Sequence, residues 1–368
     1  MPFDQGNLTF RICRMPEAMP EDAVKKFAEH AGQPLEMVHD EPMWGWVSPR
    51  HLLDCNITEE TVKTAGYYHL CLRQAERKIP ASLLTAECRL EELSRMAAAG
   101  TDHINKKERK TIKEEVQQRL LPDMPPQLSG IYFVIDEAEK LLFTTATSQH
   151  ALDIFLSMFN KTFGFEPIPL NPDLIATDMY GIAPEDVPGI CISPNMKQPQ
   201  GEGNGTLGEN FLTWLWFYQE QRGGVLPPSK LGEFALMIDG PLTFVSEGSG
   251  ALESVVRKGT PTISAEAKAA LMVGKKLKSA KFILARDQNQ EWSCTLDAEE
   301  FTFRGLKLPE GEAMDHDSIF EERMTNLFIF HSAFFGLFEK FLREMTDSAK
   351  AEEYQTKARE WVANKMEK

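Results

Sequence analysis

The sequence predicts an α+β fold of two lobes with a protruding helical arm and C-terminal helices, and three patterns carry that reading. Leu8, Phe10 and Ile12 alternate with Thr9, Arg11 and Cys13, the period of a half-buried strand. Strand, helix, strands and helix then follow in an α+β order, with the arm as an excursion from it. Between a strand at 67–72 (YYHLCL) and one at 131–135 (IYFVI) lie two helical segments, the second crowded with cations. The predicted division is a central α+β domain at 1–75 plus 126–170, an arm at 76–125, a second α+β domain at 171–310, and helices at 311–368.

In the arm, Ala86, Leu90, Leu93 and Ala97 recur at steps of three and four, as do Ile112, Val116 and Leu120. Pro80 suits a helix start and Gly100 a helix stop. Asn105 and Glu108 have the spacing of a capping pair that opens the second helix. That helix gathers Lys106, Lys107, Arg109, Lys110, Lys113 and Arg119 against Glu108, Glu114 and Glu115. A basic arm on an acidic protein follows.

The remaining elements are read in order. A helix is predicted at 20–31, a short strand at 44–47 (WGWV), and a hairpin whose strands 131–135 and 141–145 flank DEAEK. A helix at 148–163 closes at Gly164. Residues 165–206 are punctuated by prolines and glycines and form an irregular connector. An aromatic-rich helix (GENFLTWLWFYQEQ) follows, then a hairpin turning at Asp239-Gly240, a helix at 264–277, and strands at 281–285, 292–296 and 300–303. Phe320, Met324, Leu327, His331, Phe334, Phe338, Phe341 and Met345 form one unbroken seam of a helix at 317–346, widened by Phe328, Phe335 and Leu342 into a core-facing stripe. A last helix runs from 349 onward.

With 368 residues, 42% of them hydrophobic and 26% charged, the chain falls in the ordinary globular range. A net charge of -15 argues against a surface coated with nucleic acid, yet permits a local basic track. Cys13, Cys55, Cys71, Cys88, Cys191 and Cys294 form no Cys-x-x-Cys pair, so reduced, buried thiols are expected, with neither a zinc knuckle nor a disulfide framework. The first residues lack a signal-peptide pattern, from which a cytoplasmic location is expected. The most apolar run, 327–338, is shorter than the about 20 residues that span a bilayer, so no membrane is expected.

Several possible sites have plainer readings. Gly203-Asn204-Gly205-Thr206-Leu207-Gly208 matches GxGxxG and precedes a helix, but lacks the strand a dinucleotide fingerprint needs and reads as a loop. Asp136, Glu137, Glu139 and Lys140 could suggest a metal-dependent nuclease, but they occupy a hairpin tip. Asp315-His316-Asp317 reads as a helix lead-in, and His331 as a core histidine with one local partner. No nucleophile and base arrangement, cofactor or metal site is predicted.

A second basic cluster comprises Arg257 and Lys258 before a helix and Lys275, Lys276 and Lys278 at its end, with Lys281 and Arg286 beyond. Such clusters are either solvated faces or phosphate-facing grooves. Without base-reading motifs, any duplex contact should ignore sequence. An interaction scaffold that docks an acidic partner on the arm is the other alternative.

The ordered set Gly45-Trp46-Val47 with Pro49, His69-Leu70-Cys71-Leu72-Arg73 leading into Glu76-Arg77-Lys78-Ile79-Pro80, the lysines from Lys106 to Lys113, and Glu114-Glu115-Val116 through Leu120-Leu121-Pro122 resembles the recombination-associated protein RdgC family. The likeness is strongest over 43–169 and fainter over 256–285. It implies a DNA-binding protein rather than an enzyme: a ring-shaped homodimer around double-stranded DNA that restrains RecA-promoted recombination, associated with the nucleoid. It also implies that Lys106, Lys107, Lys110, Lys113, Arg257 and Lys258 face DNA. The family carries an exonuclease label, for which no motif is present. Where relatives carry a basic residue and an aromatic after Leu-Leu-Pro, this chain has Asp123 and Pro125, so an open clamp is the alternative to a closed ring.

Overall fold

The computed structural model describes residues 2–193, 205–226, 229–246, 253–287 and 290–364. The first elements are β1 (Leu8–Arg14), α1 (Ala23–Glu29), β2 (Met43–Val47), a short α2 (Glu59–Val62), β3 (Lys63–Thr64) and the long β4 (Tyr67–Arg77). The arm helices α3 (Ala81–Ala99) and α4 (Lys106–Leu120) leave the end of β4, and β5 (Pro126–Asp136) returns from them. Then come β6 (Leu141–Thr144), α5 (Gln149–Phe163), β7 (Ile168–Pro169) and α6 (Pro172–Leu174), which runs into a π-helical turn at Ile175–Met179. The later elements are α7 (Leu207–Arg222), β8 (Phe234–Val245), β9 (Glu253–Val256), α8 (Ala265–Met272), β10 (Lys276–Arg286), β11 (Gln290–Asp297), β12 (Thr302–Lys307), α9 (His316–Thr346) and α10 (Ser348–Asn364).

The strands form one antiparallel sheet in the order β2-β4-β5-β6-β1-β12-β11-β10-β8-β9, with β3 beside β4 and β7 beside β1. Strand β1 is the joint. Its Arg11 to Arg14 segment pairs with β6, while Leu8 and Phe10 pair with Leu306 and Phe303 of β12. The two expected α+β units therefore share a continuous sheet.

Alternation along the strands sends apolar side chains to both faces. On one face of the first half, Phe27 of α1 and Phe155 and Phe159 of α5 close over Trp46 and Phe133. The Trp46 indole N–H donates to the Thr162 hydroxyl at 2.8 Å, so the ring is buried without an orphaned donor. The larger core includes α7 and α9. Every residue of α7 from Leu207 to Tyr218 is buried, as suits a helix that is apolar around most of its circumference. The α9 seam reaches both halves: Phe320 stacks on His69 of β4, and Phe334 meets Phe303 of β12 and Phe282 of β10. Ordinary caps set the helix ends, including a Thr206 and Glu209 capping box on α7 and Asp315 accepting from the Ser318 N–H on α9.

The structure corrects three expectations. Asp239-Gly240 is an irregularity within one strand: Ile238 pairs with Phe282 and Leu242 with Ala280 on the same partner, β10. The glycine is needed because a Cβ there would lie 2.2 Å from the Pro261 ring. The helix expected at 264–277 ends earlier. Gly274, at φ +83°, turns the chain so that Lys276 begins β10. His331 packs among Phe143, Phe328 and Phe335, and its Nδ1 has no hydrogen-bond partner among the described residues. Burial pushes its pKa down to about 4.

Candidate nucleic-acid interface

The arm folds around a core of its own. Ile104, Ile112 and Val116 are buried, and Leu84, Cys88, Met96 and Leu120 pack on them. Asn105 caps α4 by accepting from the Glu108 N–H at 2.8 Å, and Gly100 ends α3 in the left-handed region at φ +65°. The α3 face that meets α4 is thus Leu84, Cys88 and Met96. Ala86, Leu90, Leu93 and Ala97, the stripe that marks the helix in the sequence, point outward, with Leu90 65% and Leu93 48% exposed. Both stripes have helical spacing. The flanking ion pairs favour the observed one: Arg119 lies 2.8 Å from Glu87, Arg109 lies 3.7 Å from Glu92, and Arg95 pairs with Glu115. Arg95 donates to the Glu115 and Glu91 carboxylates, which raises its pKa above the ordinary value.

This arrangement divides the arm's cations. Arg109 and Arg119 are engaged across the two helices, and Lys110 sits 3.5 Å from Glu114 on its own helix. Lys106, Lys107 and Lys113 are exposed and in no salt bridge among the described residues. Lys106, Lys110, Lys113 and Gln117 follow one another at steps of four, three and four, so they share a face of α4. Arg77 fixes the arm's root: its Nε donates to the Val38 carbonyl at 2.8 Å and its Nη1 to the Pro122 carbonyl at 3.0 Å, with Met124 O a further acceptor.

The second cluster is less uniform. Arg257 and Lys258 follow β9 and are exposed, in no salt bridge among the described residues. Lys275 donates to the Ser254 hydroxyl at 2.6 Å, Lys278 lies 3.8 Å from Glu253, and Lys281 lies 3.5 Å from Asp239. Lys276 is only 9% exposed and lines a cavity with Glu209 and Glu299, which removes it from any surface track. Lys276 opens the strand that replaces the expected helix end, and it and its neighbour Leu277 are both buried there. The two clusters belong to different parts of the sheet: the arm springs from β4 and β5, whereas β9 lies seven strand positions beyond β5 at the far edge.

The other sequence candidates fall to local structure. The Asp136 carboxylate accepts from the Glu139 N–H at 3.1 Å, a turn contact. Among the described residues no group of three or more His, Cys, Asp or Glu side chains could hold a metal ion, and no helix is long and apolar enough to cross a membrane. Gly203 and Asn204 of the GxGxxG match lie outside the described residues, and Thr206 is the α7 cap. Burial raises the thiol pKa of Cys13 to about 12. Sequence reasoning missed one feature, a cleft of about 480 Å³ at the arm's base that involves Lys78, Gln117 and Gln118. The step from Lys113 to Gln117 was its only signal.

Comparison with known proteins places this geometry. A family model described as "Putative exonuclease, RdgC" matches residues 7–177, which contain the whole arm but not Arg257 and Lys258. The recombination-associated protein RdgC of Tolumonas auensis is 30% identical over 125 residues, 34% of this chain and 40% of the relative. That of Pseudoalteromonas atlantica is 28% identical over 174 residues, 47% of this chain and 56% of the relative. The matches thus span about half the length of these curated relatives. Over its N-terminal part, from β1 to the turn after α6, the chain is homologous to the RdgC family.

Proposed function

We propose that the chain is an RdgC-family protein that binds double-stranded DNA without sequence preference and acts in recombination. The observation that carries this is the exposed lysines of α4: Lys106 and Lys113 on one face and Lys107 beside it in no salt bridge among the described residues, with Lys110 held only by an exposed i,i+4 contact worth well under 1 kcal/mol. Phosphate oxygens are the partner such a face lacks, and a helix face of flexible lysines reads charge rather than base edges. The relatives' names supply the recombination context. Arg257 and Lys258, exposed after β9, form a second contact in this reading.

The protein acts as a homodimer in this reading, encircling or clamping the duplex. The outward face of Ala86, Leu90, Leu93 and Ala97 is an exposed apolar stripe that a second copy would cover in this reading. Asp123 sits in the 3-10 turn Leu121–Asp123 after α4 and Pro125 beyond it, so neither supplies the relatives' basic and aromatic contact. Occupying DNA on the nucleoid would limit RecA-promoted recombination by competition for the substrate.

Anisotropy titration of labelled duplexes tests the reading. With around six cations on phosphates, affinity should fall about a thousandfold between 50 and 200 mM salt, and equally for unrelated sequences. A flat salt response, or a preference for one sequence, would overturn it. Adding magnesium or manganese to the same samples reports any cleavage directly.

A further inference from the structure

The cleft at the arm's base lies where the lysine face of α4 ends. It is lined by half-buried Ile79, Leu84 and Leu121 and by exposed Gln117 and Gln118, with Lys78 and Asp40 beside them. Its lining carries little charge excess: Lys78 pairs with Glu76, Asp40 and Arg77 are of opposite sign, and the Arg77 N–H groups are taken up by three backbone carbonyls. A site built for phosphate would keep a positive excess, as the lysine face does. An apolar surface bordered by two amides, each both donor and acceptor, and one carboxylate suits a flat heterocycle with donors and acceptors on its edge.

We propose that this cleft takes an unpaired nucleobase, from a strand whose phosphates run along Lys106, Lys110 and Lys113. A base within a duplex has its edge engaged and its faces stacked, so only an overhanging or extruded base can enter. The apolar residues cover one face of the base, and Gln117, Gln118 and Asp40 meet its edge. Because amides donate and accept, every base is accommodated and sequence preference stays weak. The inference rests on the DNA-binding reading and adds to it a preference for duplex ends that carry an overhang.

The test compares a blunt duplex with the same duplex bearing a four-nucleotide overhang, by anisotropy at constant salt. The wild-type chain should bind the overhanging duplex about tenfold more tightly, the effect of one base placed on an apolar surface. Gln117→Ala with Gln118→Ala, both at exposed helix positions where alanine is well tolerated, should remove that preference and leave blunt-duplex affinity unchanged. Leu84→Ser should also remove it, with the fold checked by circular dichroism. Equal binding of the two duplexes by the wild-type chain would overturn the cleft assignment alone. A glutamine variant that weakens both duplexes equally would do the same, by making these residues part of the general track. Failure to bind either duplex at low salt would overturn the DNA reading and this inference with it.

Discussion

The lysines of α4 and those at the start of β10 are similarly dense in sequence and end in different places. Lys106, Lys107, Lys110 and Lys113 are all exposed, because the contact with α3 occupies only the Ile112 and Val116 side of the helix. Around β10, Lys276 is buried, Lys275 is bonded to Ser254, and Lys278 faces Glu253. The surroundings make the difference. A narrow apolar stripe on a helix leaves most of its circumference to solvent, whereas β10 is paired on both edges, with β8 and β11, and its first residues Lys276 and Leu277 are both buried. Density of cations in a sequence therefore says little about a binding surface until the packing around them is known.

The two regions also differ in how they are held, and this comparison can be broken experimentally. Phe334 sits in the core shared by both halves of the sheet, in contact with Phe211, Phe282, Phe301 and Phe303. Phe334→Ala should lower global stability by about 3 to 5 kcal/mol, read from the denaturant midpoint. Ile112→Ala should cost about 2 kcal/mol or more within the arm alone, so that amide exchange accelerates over residues 81–120 while the body's midpoint holds. Loss of the body's midpoint in the Ile112 variant would show that arm and body unfold as one unit.

A smaller effect separates the body from the arm by pH. His331 has its pKa pushed down to about 4 by burial, against about 6.5 when unfolded, and His69 is pushed down to about 3 by burial, His316 adding in the same direction. In each case the unfolded chain takes up the proton first. Stability is therefore complete above pH 6.5 and falls as the pH drops toward the folded values. The His331 share should be about 2 kcal/mol between pH 7 and 4.5. His331→Leu should remove that share, seen as a smaller midpoint difference between the two pH values, and an unchanged difference would contradict the assignment. The arm has no buried histidine and should contribute little.

The smallest effect on stability is expected at Leu90 and Leu93. Replacing both with serine should change the unfolding free energy of the monomer, measured at dilution, by under about 1 kcal/mol, because the side chains are exposed in the single chain. In sedimentation, the same variant should shift from dimer to monomer. A wild-type chain that sediments as a monomer at every concentration would remove the stripe's proposed role.

Much of the fold was legible because local signals and tertiary packing agree. The alternation of β1, the cap and glycine stop of α5, and the eight-residue seam of α9 each have one stable solution. The misreadings and the open choices occur where a local signal has two solutions. Two stripes on α3 fit a helical period, and only the partner ion pairs on α4 distinguish them. Asp239-Gly240 is a good turn dipeptide, yet it is overridden by β10, which pairs with both flanks. The second basic cluster was placed on a helix end that Gly274 cuts short. The arm's lysine face could be read from sequence because α4 needs so few apolar residues, whereas the cleft beneath it is assembled from β4, α3 and α4 and has no contiguous signature.

The central claim is that the α4 lysines bind the phosphate backbone of duplex DNA. Its most direct test is the slope of log affinity against log salt for the wild-type chain and for Lys106→Ala, Lys107→Ala, Lys113→Ala combined. Loss of three phosphate contacts per protomer should reduce the slope by about 2.7 for each protomer on the DNA while leaving the melting midpoint unchanged. An identical slope in the two proteins would contradict the account.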